Sequence, residues 1–195
     1  MAYEIIVVGT SWGGLAALRE LIGALPPDLG LPLVLVQHRH KRSDQLLSSL
    51  LQDKTRLCVC EIEDKAPIEP GNVYVAPADY HVLIEGGHFA LSTDEPVRYS
   101  RPSIDVTFVS AADSYGERAV GVVLTGANAD GARGLKRVHD RGGLAIVQRP
   151  SSAESPTMPA SALRSVPNAR VLPIEGIAAA LASLPVAGAR HSETR

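Results

Sequence analysis

The sequence predicts a doubly wound α/β fold, in which a mostly parallel sheet carries flanking helices and an antiparallel hairpin is inserted near the middle. Short β-branched apolar runs alternate with helix-like segments along the chain, which is the pattern of consecutive β–α units. The runs Leu33–Gln37 and Ala119–Leu124 are apolar almost throughout, as in strands buried on both faces. Val82–Glu85 and His88–Leu91 flank Gly86-Gly87, a pair that favours a tight hairpin turn.

Turn and helix-stop signals place the elements of the first half of the chain. A helix over Leu15–Leu25 must end before Pro26-Pro27, because proline lacks the N–H group that a helix interior needs. A second helix is predicted over Ser43–Leu51, with Ser43 as its N-cap. The predicted strands are Glu4–Val8, Leu33–Gln37, Leu57–Ile62 and Val73–Ala76.

The second half continues the same alternation. A helix is predicted over Ser103–Tyr115, just after Pro102, and Gly142-Gly143 is the expected stop of a helix over Ala132–Asp140. The remaining predicted elements are the strand Leu144–Gln148 and the helices Thr157–Val166 and Glu175–Leu184. We therefore expect a single domain over residues 1–184 and a flexible polar tail over residues 185–195.

Length, composition and charge exclude several classes of protein. The 195 residues suffice for one well-buried domain, and 45% hydrophobic with 21% charged residues is an ordinary globular composition. The net charge of −2 provides no field that would recruit nucleic acid or an anionic membrane. No apolar run approaches the roughly 18 residues of a membrane span, and none has signal-peptide flanks. We therefore expect a cytoplasmic protein, monomeric by default.

The two cysteines, Cys58 and Cys60, lie two residues apart on a predicted strand and so point to the same face. Nothing in this spacing indicates a disulfide scaffold. We expect buried apolar thiols rather than a metal or redox site.

Three polar side chains follow three predicted strands at the edge of the sheet where open parallel sheets bind ligands. Ser11 follows the first apolar run, His38 follows LVLVQ, and Asp130 follows VGVVL in a Gly-flanked loop that opens a helix. In a serine hydrolase an imidazole takes the proton of the nucleophilic hydroxyl, and a buried carboxylate orients that imidazole. The sequence therefore indicates Ser11 as nucleophile, His38 as base and Asp130 as the orienting carboxylate.

The glycines around Ser11 support this interpretation. Gly9-Thr10-Ser11-Trp12-Gly13 fits G-x-S-x-G, the pattern of a sharp strand-to-helix turn that exposes a nucleophile. Such a turn places backbone N–H groups beside the serine, where each can stabilise an oxyanion by about 3 kcal/mol.

Each of these residues also has a simpler interpretation. Ser11 could cap a helix or belong to a phosphate-binding turn, although the glycine spacing matches neither G-x-x-x-x-G-K-[ST] nor G-x-G-x-x-G. His38 could be a structural histidine at a strand end, and Asp130 could be the N-cap of the next helix. The basic segment Arg39-His40-Lys41-Arg42 is typical of a solvated face, or could grip an acidic partner. No spacing indicates a zinc site.

Six ordered motifs carry a resemblance to a known family. They are VVGTSWGG, VLVQH, IEPGNVYVAPADYH, RPSID, GVVLTGANADGARG and GGLAIVQ, and they run from about residue 4 to about residue 165. In this order the chain resembles the catalytic domain of the chemotaxis-type protein-glutamate methylesterases, the CheB family. Several motifs at matching separations are far more specific than any one of them.

The resemblance implies a parallel-sheet α/β domain with a serine triad at Ser11, His38 and Asp130. It places oxyanion-hole N–H groups at Ala127 and at the residue after Ser11, which is Trp12. The RPSID motif, with Arg101 and Ser103, lies near the cleft without an assigned role. The implied reaction is hydrolysis of glutamate γ-methyl esters on chemoreceptor cytoplasmic helices, with deamidation of specific glutamines by the same route. No cofactor or metal is implied.

Four departures from the family pattern stand out. Trp12 occupies a position that is usually small, and RHKRSD replaces an apolar, Pro-rich stretch after the histidine. Asn128-Ala129 replaces a Gly-Asn order in the carboxylate loop. The well-known members carry an N-terminal phosphoreceiver domain, for which this chain has no room before its first strand. We therefore expect a stand-alone member or a fragment, controlled in any phosphorelay by a separate regulator in trans.

Three functions follow as hypotheses. The leading one is a chemotaxis-type methylesterase, motivated by the ordered triad within collinear family motifs. The second is a serine esterase or amidase for another substrate, motivated by Trp12 and the basic segment. The third is a non-catalytic module that docks on a receptor or kinase.

Overall fold

The computed structural model describes residues 2–39 and 46–186. Seven parallel strands form the central sheet in the order β3-β4-β2-β1-β7-β8-β9, and β5 and β6 form a separate antiparallel pair. The strands are β1 Ile5–Thr10, β2 Leu33–Gln37, β3 Cys58–Glu61, β4 Asn72–Val75, β5 His81–Glu85, β6 His88–Ser92, β7 Ala119–Val123, β8 Leu144–Gln148 and β9 Arg170–Leu172.

Helices connect the strands and cover both faces of the sheet. They are α1 Gly14–Gly23, α2 Leu46–Gln52, α3 Ile104–Tyr115, α4 Ala132–Asp140, α5 Thr157–Ser165 and α6 Ile174–Ala182. Two short 3₁₀ turns, at Gly116–Arg118 and Pro150–Ser152, follow α3 and β8. Within the described ranges none of these helices is long and apolar enough to cross a membrane.

The hydrophobic core forms two layers because side chains of successive strand residues point to opposite faces. Ile6 and Val8 of β1 pack in a cluster that includes residues of α1, α2 and α6. Ile5 and Val7 pack in the opposite cluster, which includes residues of α3, α4 and α5. All residues of β1 are buried, so this central strand holds the residue that follows it, Ser11, in a fixed position.

The structure confirms the predicted fold class and every predicted strand and helix, with boundary differences of a few residues. It also adds β9, a three-residue edge strand that sequence reasoning missed because it is too short for a periodic pattern. The proposed N-cap at Ser43 lies outside the described residues. Residues 185 and 186, the first of the predicted tail, pair with Tyr3, whose N–H donates to the Pro185 carbonyl at 2.8 Å.

The expectation of buried cysteines was wrong for Cys58, which is exposed, while Cys60 is half-buried. Both lie on β3, which is the edge strand of the sheet that the described residues form. Partial burial, followed by the charges of Cys58 and Glu63, raises the pKa of the Cys60 thiol.

Candidate active site

Ser11 lies on a tight turn between β1 and α1, and the glycines around it are required by space and by backbone conformation. A Cβ atom on Gly9 would collide with the side chain of Ile104. Gly13 has a φ of 76°, in the left-handed region that favours glycine, and it is the N-cap residue of α1. The turn closes where the N–H of Gly14 donates to the Ser11 carbonyl at 2.9 Å. The positive end of the α1 dipole therefore lies beside Ser11.

Hydrogen bonds from neighbouring strands fix the turn that carries the serine. The Ser11 N–H donates to the carbonyl of Thr125, just after β7, at 3.0 Å. The hydroxyl of Thr125 donates to the Trp12 carbonyl at 2.9 Å. On the other side, Nε2 of Gln37 at the end of β2 donates to the Ser11 carbonyl at 2.9 Å. The turn is thus tied to both strands that flank β1.

His38 and Asp130 form a direct pair at the same edge of the sheet. His38 directly follows β2, and its N–H donates to the Thr10 carbonyl at 3.1 Å. Nε2 of its ring lies 2.8 Å from Oδ2 of Asp130. The two residues are 92 positions apart in the sequence, so this contact is produced by the order of strands β2-β1-β7.

Asp130 is fully buried, and both of its carboxylate oxygens accept hydrogen bonds. Oδ2 also accepts from the N–H of Ile104 at 2.7 Å, and Oδ1 accepts from Ser103 Oγ and from the N–H of Asp105, both at 3.0 Å. Burial, the largest single influence, acts to raise the pKa of Asp130. The hydrogen bonds from His38 and from these backbone groups, with the charge of His38, outweigh burial and hold the pKa below its usual value. An ionised carboxylate therefore faces the imidazole.

The second ring nitrogen of His38 faces the cavity that also exposes Ser11. Nδ2 of Asn128 lies 3.3 Å from Nδ1 of His38, and Oγ of Ser100 lies 3.5 Å from it. Ser11 and His38 line one cavity of about 470 Å³ together with Asn128, Ser100 and other polar groups. The Ser11 hydroxyl has no hydrogen-bond partner among the described residues, so it is not bonded to His38 in this structure.

A second cavity, of about 530 Å³, lies on the other side of Ser11. It is lined by Trp12 and the first turn of α1, with Arg19 and Glu154 at its polar part. The indole of Trp12 is 66% exposed and Leu15 is 37% exposed, so this wall presents apolar surface to solvent. Ser11 thus stands between a polar cavity and a more apolar one.

Comparison with known proteins decides the family. Residues 6–181 match the family model described as CheB methylesterase. The chain belongs to the CheB methylesterase family. Among the described residues of this CheB-family chain, no group of three or more His, Cys, Asp or Glu side chains is arranged to hold a metal ion.

Individual relatives agree with this assignment. A protein of Leptospira interrogans (strain Fiocruz L1-130), described as "Putative protein-glutamate methylesterase/protein-glutamine glutaminase", is 46% identical over 91% of this chain and 93% of its own length. Protein-glutamate methylesterase FrzG of Myxococcus xanthus is 36% identical over 92% of this chain but only 54% of its own length. The chain therefore spans nearly all of the first relative and about half of the second.

A solved structure shows the same fold. The Thermotoga maritima CheB methylesterase catalytic domain superposes with a TM-score of 0.88 at 32% sequence identity, covering 93% of this chain and 98% of that one.

The predicted oxyanion groups lie on two loops of this CheB-family site. Trp12 follows Ser11 directly, and Ala127 lies in the loop after β7. Neither backbone N–H donates a hydrogen bond to any described residue. Both are therefore available to a ligand, which is compatible with the predicted role of these N–H groups.

Arg101 forms part of the wall of the polar cavity and is held by other segments. Its guanidinium contacts Oδ1 of Asp79 at 2.6 Å and donates to the carbonyls of Thr93 and Asp94 at 2.7 and 3.0 Å. All three partners lie on loops that border the cavity. A direct contact between Arg101 and substrate stays a prediction.

The expectation that the basic segment Arg39-His40-Lys41-Arg42 forms a solvated face was wrong for Arg39. Its side chain is only 8% exposed, donates to the Ala76 carbonyl at 2.6 Å and lies 3.6 Å from Glu61. It reaches inward because the residue after β4 offers a carbonyl acceptor. His40, Lys41 and Arg42 lie outside the described residues.

Sequence reasoning assigned no role to three residues that contact the predicted triad or support it. Asn128 and Ser100 approach His38, and Asp105 accepts from the N–H groups of Gly131 and Gly134 beside Asp130. The only signal in the sequence was their presence in the motifs RPSID and GANADG or next to them. The simpler interpretation of Asp130 as the cap of the following helix was wrong, because Gly131 is the N-cap of α4.

Proposed function

We propose that this CheB-family chain is a serine methylesterase that hydrolyses the γ-methyl esters of glutamates on the cytoplasmic helices of chemoreceptors, and that it deamidates glutamines by the same route. The observation that carries the proposal is the cavity that Ser11 and His38 line together, with the His38 ring bonded to Asp130 at 2.8 Å. Relatives named for both activities support the choice of substrate.

The chemistry follows from the roles of these groups. Ser11 Oγ attacks the ester carbonyl while its proton passes to Nδ1 of His38, and the negative charge develops on the former carbonyl oxygen. The N–H groups of Trp12 and Ala127 stabilise that oxyanion. His38 then gives its proton to the leaving methoxide, and methanol departs from an acyl-enzyme. Water, activated by His38, cleaves the acyl-enzyme to free the glutamate carboxylate and Ser11.

Deamidation uses the same steps on a glutamine side chain. The leaving group is then ammonia instead of methanol, and the product is again a glutamate carboxylate. Each reaction consumes one water without a redox change, and His38 carries the proton in every step.

Binding of substrate has to complete the geometry. Ser11 Oγ is not bonded to His38 in this structure, and catalytic hydrogen bonds of enzymes without substrate are often long or absent. The two cavities beside Ser11 suit a helical protein segment that crosses the turn. In this arrangement the indole of Trp12 packs against apolar residues of the segment, and the polar cavity takes the methylated side chain.

The sharpest test measures methyl loss from the substrate itself. A methylated chemoreceptor cytoplasmic fragment is incubated with the wild-type chain and with Ser11→Ala, and its mass is followed. We expect a loss of 14 mass units per ester, the difference between a methyl group and a proton, with the wild type alone. Labelling of Ser11 by a fluorophosphonate, absent in Ser11→Ala, reports the reactivity of the nucleophile independently.

The two readouts separate the alternatives. Labelling without methyl loss, together with hydrolysis of small activated esters, would indicate a serine hydrolase for another substrate, which the bulk of Trp12 and the buried Arg39 favour as second candidate. No labelling, together with tight binding to the receptor fragment, would indicate a non-catalytic module. Equal methyl loss with wild type and Ser11→Ala would contradict the mechanism.

A further inference from the structure

Asn128 holds the nitrogen of His38 that the proposed reaction uses as a base. Its Nδ2 lies 3.3 Å from Nδ1 of the imidazole. The orientation of the amide is fixed locally, because its Oδ1 accepts from the N–H of Asp130 at 3.0 Å. A reversed amide would lose that bond and would place the lone pairs of Asn128 Oδ1 against the lone pair of His38 Nδ1. The NH₂ group of Asn128 therefore points at His38.

The two neighbours of the ring select one tautomer. The ionised carboxylate of Asp130 accepts, so Nε2 of His38 carries the ring proton and donates. Nδ1 then has a lone pair, and the NH₂ group of Asn128 is a donor that matches it. A single loop, residues 128–130, thus contacts both nitrogens of the imidazole.

The same contact opposes protonation of the ring. A proton on Nδ1 would face the NH₂ group of Asn128, so two donors would meet with no acceptor between them. A hydrogen bond to the lone pair stabilises the neutral imidazole relative to the imidazolium. The Ser100 hydroxyl, 3.5 Å from Nδ1, can rotate to accept and is the weaker neighbour.

We propose that Asn128 is a positioning residue that donates to the lone pair of His38 Nδ1 in the resting enzyme and yields Nδ1 to the Ser11 hydroxyl when substrate binds. This inference rests on the proposed function for its catalytic meaning and deepens it by naming what prepares the base. The resemblance stated above has a Gly-Asn order where this chain has Asn128-Ala129, so the contact is a feature of this chain.

Other charged groups around His38 stay constant when Asn128 is changed. Asp130 faces Nε2 from the loop after β7, and Arg39 follows His38 directly along the chain. Arg101, from the segment before α3, and Asp79, from the loop after β4, neutralise each other at 2.6 Å in the same cavity. A shift in the titration of His38 on substitution of Asn128 is therefore attributable to the amide.

The test follows the protonation of His38 by ¹⁵N and ¹³C NMR, in the whole chain and without substrate. The wild type is compared with Asn128→Ala, Asn128→Gly and Asn128→Asp, and His38→Gln identifies its signal among those of six histidines. Loss of one neutral donor should move the titration midpoint up by about 0.5 to 1 pH unit in the Ala and Gly variants. Asn128→Asp should move it further, because a carboxylate accepts from protonated Nδ1.

Activity provides a second, independent readout. The pH of the acid-side inflection of kcat/KM on a small activated ester should rise in the same order. It should be lowest in the wild type, higher in Asn128→Ala and Asn128→Gly, and highest in Asn128→Asp. A merely structural role would lower kcat without moving the inflection. Asn72→Ala, which removes an amide bonded to the Tyr74 hydroxyl away from the cavity, is the matched control and should leave the midpoint of His38 unchanged.

The outcomes are distinguishable. An unchanged NMR midpoint in folded Ala, Gly and Asp variants would overturn the role of Asn128, whatever the activity. If the midpoints follow the predicted order but the chain hydrolyses no ester, the role of Asn128 toward His38 would be supported. The proposed function, and not that role, would then be refuted.

Discussion

Asp130 accepts hydrogen bonds from the N-terminus of α3, and Asp105, in α3, accepts hydrogen bonds from the N-terminus of α4. Asp130, in the loop before α4, accepts from the N–H groups of Ile104 and Asp105 in the first turn of α3, at 2.7 and 3.0 Å. Asp105 accepts from the N–H groups of Gly131 and Gly134 at the start of α4, at 3.0 and 2.7 Å. Both carboxylates are fully buried. The position of the orienting carboxylate of the proposed triad therefore depends on how two helix N-termini meet.

Asp105→Ala should destabilise the protein much more than Asp105→Asn. Alanine leaves the buried N–H of Gly134 without an acceptor, whereas the N–H of Gly131 keeps Oδ1 of Asp130 at 3.1 Å. The loss should cost about 1 to 3 kcal/mol of unfolding free energy. Asparagine keeps one carbonyl oxygen for Gly131 and Gly134 and removes a buried charge. Urea denaturation at neutral pH measures the difference, and equal losses in the two variants would show that the caps contribute little.

The two carboxylates should act on acid stability with opposite signs. The pKa of Asp130 is lowered, so its contribution is present above the unfolded value of 3.8 and is lost as pH falls through the folded value. The pKa of Asp105 is raised, first by burial and also by the charge of Asp130, so ionisation of Asp105 costs stability as pH rises above 3.8.

Urea denaturation between about pH 3 and pH 7 tests these signs in two variants, since this window spans the ordinary carboxylate range. Wild type should gain stability relative to Asp130→Asn as pH rises. Asp105→Asn should gain relative to wild type over the same range. Parallel pH profiles for all three proteins would contradict the assignment.

The placement of Ser11, His38 and Asp130 at one edge of the sheet was predictable from sequence, because each follows a strongly apolar run and parallel strands bring such positions to one edge. Asn128 was noticed only as a departure, since its approach to His38 depends on the conformation of one loop. Asp105 was not predictable as a cap, because its partners are 26 to 29 residues away on another helix. Cys58 was misjudged because strand order, not local pattern, makes β3 an edge strand.

Gly9→Ala should weaken the junction between β1 and α3. Its Cβ would occupy the space of the Ile104 side chain, whose N–H is also bonded to Asp130. Overpacking of this kind costs about 1 to 3 kcal/mol. Thermal or urea unfolding measures the loss.

Two companion variants make the test of Gly9 specific. Ile104→Ala removes Cγ2, the atom nearest the added Cβ, so Gly9→Ala should cost less stability in the Ile104→Ala background than in the wild type. Gly23→Ala, at the end of α1 where the nearest atom would be 3.4 Å away, should be close to neutral. Independent, additive losses at Gly9 and Ile104 would argue against the predicted collision.

Trp12→Ala should change substrate preference. Removal of an indole that is 66% exposed at the wall of the apolar cavity removes contact area for a helical protein substrate. We expect the ratio of kcat/KM on a methylated receptor fragment to kcat/KM on a small activated ester to fall about tenfold, which corresponds to loss of one good interface contact of about 1.4 kcal/mol. An unchanged or increased ratio would mean that Trp12 restricts the cleft instead of supporting the substrate.

The contact between Tyr3 and Val186 has a consequence for the order of the chain. These residues meet at the amino end of β1, and Ser11 follows the other end of this six-residue strand, roughly 20 Å away. A short linker between residues 3 and 186, with new ends opened in the exposed hairpin turn at Gly86-Gly87, would give a circular permutant with the same sheet order. In that molecule Asp130 would precede Ser11 and His38 along the chain, while the three side chains would still meet at one edge of the sheet.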